Sequence, residues 1–361
     1  MDRLTPPNHV AQPNRAMRRK PFALGDERIV KASLHGDRTM PLVVEPGFEA
    51  IDLPAWAAGE QEFIASSLSK HGAILFRNFN LRELSGFEEF IRTVSGELLE
   101  YRERSSPRHR VSGNVYTSTD YPASQGIFMH NENSYQLTWP LKVFFFCVTA
   151  AQKGGETPIA DIRRVLRQID PKIQDRFRAK KIMYVRNYDE GLGLSWQTVF
   201  QSDDRTAVDA YCRASGIQAE WKDGNRLKTR QVAPAIVNHP NTGEEVWFNH
   251  AAFFHVSTLD PIVRDVLLET IGEENLPNNT YYGDGSPIEA SVLEEIRAAY
   301  AQEIVAFPWQ EGDILMLDNM LVAHGRSPYS GPRKILVGMT EPFTRSAVQP
   351  AKENQSYADR G

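Results

Sequence analysis

The longest strongly apolar run of the sequence is LKVFFFCVTAA, residues 141–151. It is far shorter than the roughly 20 residues that a membrane-spanning helix needs. The run therefore predicts a strand buried inside a globular core. With 361 residues, of which 41% are hydrophobic and 10% aromatic, the chain is long enough to build a sizeable core around that strand.

Strand-like runs alternate with helical patterns along the rest of the chain. Apolar residues at helical spacing predict helices at 59–72, 81–96, 161–180 with a break before Pro171, 260–272 and 287–302. Strand-like runs occupy 73–79, 142–150, 181–188, 227–240, 244–249 and much of 312–343. Many short strands with inserted helices predict a mainly β fold, a sandwich or barrel core decorated with helices.

The chain shows no Gly/Ser/Pro-rich linker in its middle, so we expect one domain over residues 23–345. Residues 1–22 carry several prolines and five basic residues and predict a mobile N-terminal arm. This arm lacks the apolar segment of a secretory signal, and the absence of an amphipathic period disfavours an organelle transit peptide. Residues 346–361 predict a polar tail. The segment 100–140, rich in Ser, Pro, Asn, Tyr and Thr, predicts irregular backbone close to a site.

Charge and cysteine content narrow the choice of partner and compartment. A net charge of -5 and a pI near 6.0 give no reason to expect nucleic acid or an anionic membrane as the main partner, so we expect a small molecule. The two cysteines, Cys147 and Cys212, are scattered and imply no disulfide framework. A reducing compartment follows, and the cytoplasm is the expected location.

Two polar side chains are close together in FMHNENSYQL, residues 128–137. On extended backbone His130 and Glu132 point to the same face and can converge on one metal ion, although polar residues of a turn would show the same spacing. His324, which ends the apolar run LDNMLVAH, is the candidate for a third ligand. Two imidazoles and one carboxylate suit non-haem Fe(II) and leave positions open for substrates and O2. Structural zinc would more often recruit thiolates.

A basic residue downstream extends this constellation. Arg333 follows the turn SPYSGP at the start of the strand-like run RKILVGM. A strand hairpin would lay Arg333 beside the strand of His324, where its guanidinium could bind a carboxylate through two hydrogen bonds. A 2-oxoglutarate site requires such a residue. Asp318 and Asn319 are candidates to fix the His324 strand, and we assign Trp309 to the core.

Three segments carry a resemblance to a known family: HNENSY at 130–135, KGGETPIAD at 153–161 and WQEGDILMLDNMLVAHGRSPYSGPR at 309–333. Together they resemble the taurine dioxygenase and clavaminate synthase group of Fe(II)/2-oxoglutarate dioxygenases, over residues 70–343 and in the family's order. The resemblance implies a double-stranded β-helix, also called a jelly roll or cupin-like fold. It implies that Fe(II) is held by His130, Glu132 and His324. It further implies that Arg333 and the Thr157 hydroxyl bind the distal carboxylate of 2-oxoglutarate.

The resemblance also implies a reaction class. Such enzymes consume O2 and decarboxylate 2-oxoglutarate to succinate and CO2 while they hydroxylate, epoxidise or desaturate a substrate. Glu132 departs from the taurine branch, which has aspartate there, and follows the clavaminate synthase variant. The stretches HNENSYQLTWP, GGETPIADIRRV, VWFN and GDGSPIE look similar to tailoring dioxygenases found beside nonribosomal peptide synthetases. This implies an amino-acid-like substrate in natural-product biosynthesis, either free or bound to a peptidyl carrier protein.

Substrate contacts are expected from polar residues near the three segments. We predict contacts from Asn131, Tyr135, Thr117, Arg326 and Asn249. A wider set of polar and aromatic residues are candidates for the same role: Tyr116, Ser118, Thr119, Arg186, Asn187 and Trp196. The histidines of HAAFFH, residues 250–255, are not expected to bind metal, since their spacing suits neither a strand face nor a helix face.

Two other functions stay open at this point. The first is a catabolic dioxygenase that acts on a free sulfonate or carboxylate. The second is a non-catalytic jelly-roll protein that uses the cavity only to hold a ligand. The complete set of His130, Glu132, His324 and Arg333 argues against the second function.

Overall fold

A computed structural model describes residues 29–36, 38–49, 51–100, 103, 108–118, 121–188 and 193–345. The predicted arm at 1–22 and the predicted tail at 346–361 lie outside these ranges, and the single domain over 23–345 stays a prediction. Within the described ranges, no helix combines the length and the apolar character that crossing a membrane requires.

The described residues form nineteen strands and ten α-helices. The strands are β1 Val30–Leu34, β2 Leu42–Pro46, β3 Ala73–Phe76, β4 Arg110–Ser112, β5 Val115–Thr117, β6 Ile127–His130, β7 Thr138–Thr149, β8 Lys153–Gly154, β9 Ile159–Asp161, β10 Ile182–Tyr188, β11 Ile217–Lys222, β12 Arg226–Ala233, β13 Ile236–Asn238, β14 Glu245–Trp247, β15 Asn278–Tyr282, β16 Ile314–Asp318, β17 Val322–Arg326, β18 Tyr329–Ser330 and β19 Lys334–Thr344. The helices are α1 Leu53–Gly59, α2 Gln61–His71, α3 Leu84–Ser95, α4 Ile162–Gln168, α5 Pro171–Lys180, α6 Trp196–Phe200, α7 Arg205–Ala214, α8 Ala251–Phe254, α9 Pro261–Ile271 and α10 Ala290–Glu303.

Three sheets organise the described chain. The largest has eight strands in the order β1-β2-β3-β16-β7-β19-β5-β4, and all its pairs are antiparallel except β2 with β3. A three-stranded sheet has the order β6-β17-β9, and a four-stranded sheet has the order β11-β12-β10-β15. Two short pairs, β13-β14 and β18-β8, complete the strand pairing. The predicted mainly β fold with inserted helices is confirmed.

Strand β7 explains why the longest apolar run is continuous rather than alternating. Successive side chains of a strand point to opposite faces of the sheet. Phe144 and Phe146 pack into one hydrophobic cluster with Phe87 and Phe90 of α3, whereas Phe145 belongs to the second cluster on the other face. Because both faces are covered, successive positions from Val143 to Cys147 are all apolar. The face that carries Phe145 is the one that borders the site.

Most predicted elements are confirmed, with small shifts at their ends. The predicted break before Pro171 is real: α4 ends at Gln168, and α5 starts with Pro171 behind the capping side chain of Asp170. Strand β11 was not predicted, whereas α7 is the helix expected around Cys212. In the described part of 100–140 the backbone is less irregular than predicted, since it contains β4, β5 and β6. Cys147 and Cys212 are buried and form no disulfide.

The predicted hairpin between the His324 strand and the Arg333 strand is wrong. Strand β17, which carries His324, pairs with β6 and β9 in the three-stranded sheet. Strand β19, which follows Arg333, pairs with β7 and β5 in the large sheet. Both edges of each strand are thus occupied by other partners, and Arg333 reaches the site from the opposite sheet.

Candidate metal and cosubstrate site

Strand pairing brings the three predicted metal ligands together. His130 ends β6 and lies directly opposite His324 of β17, and Glu132 follows in the turn after β6. One ligand atom from each side chain lies within 4.8 Å of the others. The Nε2 atom of His324 is 3.9 Å from Oε2 of Glu132. Among the described residues this is the single group of three or more His, Cys, Asp or Glu side chains close enough to share a metal ion.

The two imidazoles are held in place and are kept neutral. The Nδ1 atom of His130 lies 2.9 Å from the carbonyl of Phe128, which can only accept, so Nε2 is left with a lone pair. The His130 ring stacks on Phe253, and the His324 ring packs edge-on against Phe145. Burial lowers the pKa of His130 and lowers that of His324 well below the usual 6.5. Neutral imidazoles with a nearby carboxylate form a donor set that fits Fe(II).

Asn319 fixes the backbone of Glu132. Its Oδ1 accepts from the Glu132 amide at 2.7 Å, and its Nδ2 donates to the carbonyls of Glu132 at 2.9 Å and Pro140 at 2.8 Å. The preceding Asp318 accepts from the backbone N–H of Met320 at 2.9 Å and so holds the turn between β16 and β17. These contacts confirm that the two residues fix the segment before His324. They also join the two sides of the triad.

A buried arginine that sequence reasoning missed contacts the carboxylate of the triad. Arg108 donates from Nη2 to Oε2 of Glu132 at 2.8 Å, and both side chains are almost fully buried. This contact orients the carboxylate toward the two histidines. No pattern distinguishes Arg108 from its arginine-rich surroundings in RERSSPRHR, residues 102–110.

The two predicted cosubstrate residues share one cavity with the histidines of the triad. Arg333 donates from Nε to the Gly155 carbonyl at 2.8 Å, and its Nη1 lies 3.4 Å from the Ser118 hydroxyl. Burial lowers the pKa of Arg333 to about 10, so this side chain stays protonated at neutral pH. The buried Thr157 hydroxyl accepts a hydrogen bond from Nε1 of Trp309 at 3.2 Å. Its own proton is therefore available to a ligand.

The cavity has a volume of about 790 Å³. His130, His324, Thr157 and Arg333 contribute to its wall. Apolar side chains from the region of α6, from α9 and from residues 276–277 line another part of it. Ligand cavities commonly have volumes of about 300 to 1,000 Å³, and this cavity lies in the upper part of that range. It therefore has room for a cosubstrate and a second molecule.

Comparison with known proteins decides the family. The model of the family described as taurine catabolism dioxygenase TauD, TfdA family, matches residues 38–340. This chain belongs to the TauD/TfdA family. It is a dioxygenase that depends on iron, 2-oxoglutarate and O2, so the non-catalytic alternative is set aside.

Two known proteins are similar to this chain in sequence. Dapdiamide synthesis protein DdaC of Enterobacter agglomerans is 42% identical over 293 residues, which cover 81% of this chain and 88% of the relative. A clavaminate synthase-like protein of Arabidopsis thaliana is 27% identical over 321 residues, covering 84% and 94%.

Solved structures share the fold at low sequence identity. PvcB of Pseudomonas aeruginosa aligns with a TM-score of 0.52 at 15% identity and covers 88% of this chain and 93% of its own. A second structure of PvcB, an Fe, alpha-ketoglutarate dependent oxygenase from an isonitrile synthetic pathway, aligns with a TM-score of 0.52 at 16% identity. AAD-2 in complex with Mn(II) and N-oxalylglycine aligns with a TM-score of 0.50 at 12% identity, covering 86% and 96%.

Four of the five predicted substrate residues of this TauD/TfdA dioxygenase do not line the cavity. Asn131 donates to the Asn319 carbonyl, and the Tyr135 hydroxyl donates to the Glu103 carbonyl. The amide nitrogen of Asn131 and the hydroxyl of Tyr135 thus bond to backbone groups of the protein interior. Their predicted substrate role is not carried forward.

The same correction applies to Thr117 and Asn249. The Thr117 hydroxyl accepts from the His109 amide, whereas Asn249 donates to the Ala235 carbonyl and accepts from the Ala251 amide. Of the wider set, Ser118, Arg186 and Asn187 line the cavity, Tyr116 and Trp196 do not, and Thr119 lies outside the described residues.

Arg326 is the one predicted substrate residue that reaches the cavity wall. Its guanidinium donates to the backbone carbonyls of Tyr121 at 2.9 Å, Pro122 at 2.6 Å and Gln125 at 2.8 Å. These contacts fasten the segment 121–125 beside the cavity. A direct substrate contact by Arg326 stays a prediction.

Substitution of Trp309 should weaken cosubstrate binding by this dioxygenase without affecting iron. The Trp309→Phe protein keeps the aromatic ring but loses the donor to Thr157. A neutral hydrogen bond contributes about 0.5 to 1.5 kcal/mol, so the KM for 2-oxoglutarate should rise about 2- to 10-fold while kcat is retained. Initial rates of succinate formation across 2-oxoglutarate concentrations measure this effect. An unchanged KM would show that the Thr157 hydroxyl does not depend on Trp309.

The metal-free protein should lose stability in mild acid. Burial lowers the pKa of His255 to about 4 and lowers that of His250 well below the usual 6.5. Between pH 6.5 and 4 these two histidines become protonated in the unfolded chain but stay neutral in the folded protein. The folded state, which is favoured above pH 6.5, therefore loses stability as the pH falls. Thermal unfolding in EDTA should show a lower midpoint at pH 5 than at pH 7.5, and a smaller decrease for His255→Gln. Equal midpoints would contradict the expected linkage.

Proposed function

We propose that this dioxygenase oxidises an amino-acid-like substrate during the biosynthesis of a natural product. The geometry that carries the proposal is one cavity that joins the two histidines of a metal-binding triad, a carboxylate-binding arginine and additional room for a substrate. The biosynthetic role is supported by the 42% identity to a dapdiamide synthesis protein. Hydroxylation, epoxidation and desaturation are all compatible with this site, and the substrate is either free or presented by a peptidyl carrier protein.

The proposal gives each residue of the site a role. His130, Glu132 and His324 hold Fe(II), and Arg333 with Thr157 binds the distal carboxylate of 2-oxoglutarate. When bound, the iron and its cosubstrate supply the oxidising power for attack on an unactivated C–H or C=C bond. Arg108 and Asn319 orient Glu132 through its side chain and its backbone. Phe145 and Phe253 pack against the imidazoles and keep water from that side of the site.

The same proposal includes the finer architecture and the location. The large sheet and the β6-β17-β9 sheet carry the two halves of the site, as expected for the two halves of a double-stranded β-helix. We propose this jelly-roll arrangement for the core. The family resemblance and the two buried cysteines outside disulfides support a cytoplasmic location.

The second candidate is catabolism of a free sulfonate or carboxylate. The description of the family model as taurine catabolism dioxygenase favours this alternative. Glu132 in place of the aspartate of the taurine branch, together with the similarity to DdaC, favours biosynthesis.

Succinate release distinguishes the two functions. Purified protein with Fe(II), 2-oxoglutarate and O2 is given a panel of free amino acids, the same amino acids loaded on a peptidyl carrier protein, and taurine with other sulfonates. We expect at least one free or carrier-bound amino acid to stimulate succinate release above the level without substrate, and His324→Ala protein to show no stimulation. Stimulation by a sulfonate and by none of the amino acids would replace the biosynthetic proposal with the catabolic one.

A further inference from the structure

His255 lies in the cavity wall without a role in metal or cosubstrate binding. It directly follows α8, and two residues before it the ring of Phe253 stacks on His130 with 4.6 Å between the ring centres. Two residues of chain span at most about 7 Å, so His255 is held on the side of the cavity that borders His130. Its half-buried side chain lines the same cavity as His130 and His324.

One ring nitrogen of His255 is bound by Ser257. Nδ1 accepts from the backbone N–H of Ser257 at 3.1 Å and lies 2.8 Å from the Ser257 hydroxyl oxygen. A nitrogen that accepts from an N–H cannot itself carry a proton, so the proton of the neutral ring is on Nε2. Burial lowers the pKa of His255 to about 4, which keeps the ring neutral at neutral pH.

Arg297 of α10 fixes the direction of the Ser257 hydroxyl. Its Nη2 donates to Oγ of Ser257 at 2.9 Å, and its Nη1 lies 3.3 Å from the same oxygen. Among the described side chains, Arg297 forms hydrogen bonds to Ser257 alone. Because a guanidinium can only donate, the hydroxyl proton of Ser257 points to Nδ1 of His255. Such a chain of hydrogen bonds polarises each successive group and strengthens the donor at its end.

On the opposite edge of the His255 ring, Nε2 is free to bind a ligand. None of the residues in the described ranges forms a hydrogen bond with this atom. The atom is not sealed inside the protein, since it does not belong to the fully buried polar atoms that lack a partner. The apolar residues Val256 and Leu259 line the same cavity. An N–H group forms a stronger hydrogen bond in such apolar surroundings than in water.

The position of His255 fits a contact with the substrate rather than with 2-oxoglutarate. Arg333, which is proposed to bind the cosubstrate, contacts Gly155 and Ser118. His255 forms its hydrogen bonds with Ser257, so the two side chains have no hydrogen-bonding neighbour in common. The cavity wall therefore offers a polar contact that is separate from the proposed site of the cosubstrate carboxylate.

We propose that His255 recognises the substrate by donating a hydrogen bond from Nε2 to one of its carbonyl or carboxylate oxygens. The inference rests on the proposed function and deepens it by naming a residue that contacts the substrate and the chemical group that this residue binds. A neutral imidazole with its single N–H binds an oxygen that can accept and rejects an ammonium group, which can only donate. An amide carbonyl and a carboxylate both satisfy this requirement.

Nitrogen NMR of the histidine side chains tests the state of the ring and its contact with a ligand. The full-length protein carries isotopically labelled histidine and is loaded with N-oxalylglycine, a non-reacting analogue of 2-oxoglutarate, and with Zn(II), which has no redox chemistry. The chain has nine histidines, and the signals of His255 are those that disappear in the His255 variants. We expect a proton on Nε2 and none on Nδ1 at neutral pH. The Nε2–H signal should shift with at least one of four probes: L-aspartate, L-asparagine, L-glutamate and L-glutamine.

Calorimetry with the same four probes measures the contribution of the donor. In glutamine the side-chain N–H groups lie the same number of bonds from Cα as Nε2 of histidine, whereas phenylalanine keeps a ring without a donor. For any probe that shifts the His255 signal, His255→Phe should bind about 3- to 10-fold more weakly than the wild type, the scale of one neutral hydrogen bond. His255→Gln should bind within about twofold of the wild type. An effect confined to aspartate and glutamate identifies a side-chain carboxylate as the acceptor, and an equal effect on the amides identifies an oxygen that acid and amide share.

A histidine outside the cavity wall provides the matched control. His35 follows β1, its ring centre lies 5.6 Å from that of Phe307, and it does not line the cavity. His35→Phe makes the same chemical change as His255→Phe and should bind every probe like the wild type. Circular dichroism and thermal unfolding verify that each variant is folded.

Several outcomes would overturn the inference. They are a proton on Nδ1 of His255, a His255 signal that none of the four probes shifts, and wild-type affinity in His255→Phe. Equal weakening in His255→Gln and His255→Phe would also overturn it, because the ring rather than the donor would then matter. If the wild-type protein binds Zn(II) and N-oxalylglycine normally, each of these results leaves the proposed function standing. Failure of the wild-type protein to bind those two ligands would overturn the proposed function and this inference together.

Discussion

Replacement of His324 by alanine should abolish iron-dependent activity. Removal of groups that merely support metal ligands commonly costs 10- to 100-fold in metal affinity, so loss of a ligand itself should cost at least about 100-fold. The two remaining donors, His130 and Glu132, come from the same short segment and leave the β17 side of the site without a ligand. Titration of metal-free protein with Fe(II) under argon measures the loss of iron affinity. Succinate assays at saturating iron then measure the loss of activity.

The control removes a histidine that belongs neither to the triad nor to the cavity wall. His71 ends α2 and contacts the Thr39 carbonyl through Nδ1, and His71→Ala should bind iron like the wild type. If His324→Ala bound Fe(II) with the wild-type affinity, the third ligand would have to be another residue. His250 would be the first to examine, because its ring centre lies 5.9 Å from that of His130.

Replacement of Arg333 by glutamine should raise the 2-oxoglutarate requirement far more than it affects iron. Removal of one partner from a buried, hydrogen-bonded charge pair costs about 2 to 5 kcal/mol, which corresponds to at least about 30-fold in KM. Iron affinity should change less than about threefold, since Arg333 contacts Gly155 and Ser118 rather than the triad. Separate titrations with Fe(II) and with 2-oxoglutarate resolve the two effects.

The neighbouring Lys334 supplies the control for Arg333. Lys334 is exposed at the start of β19, and Lys334→Gln should keep the wild-type KM. Equal losses of iron affinity and 2-oxoglutarate affinity in Arg333→Gln would indicate general disruption of the site. That result would remove Arg333 from its proposed role.

The local part of the site could be predicted from the sequence, because local patterns determine it. The two-residue spacing of His130 and Glu132 and the apolar run before His324 were sufficient to nominate three side chains, and strand pairing brings them together. Arg333 was nominated correctly as a cavity residue but for a wrong reason. Sequence order suggested a hairpin, whereas the chain passes from one sheet to the other between β17 and β19.

Long-range contacts could not be predicted. Arg108 reaches Glu132 across 24 residues of chain, and Trp309 reaches Thr157 across 152. Neither contact leaves a periodic signal, because each depends on how the sheets pack. Asn131 and Asn249 do not line the cavity for a related reason: polar residues near a site often bond to buried backbone groups, and only the packed structure shows which ones do.

The visible spectrum of the anaerobic protein with Fe(II) and 2-oxoglutarate tests the central claim most directly. A keto acid chelated to iron gives a weak charge-transfer band. The wild-type protein should show it, His324→Ala should not, and Arg333→Gln should show it only at much higher 2-oxoglutarate concentrations. A well-folded wild-type protein that shows no band, or a band that persists unchanged in His324→Ala, would contradict the assignment of this site.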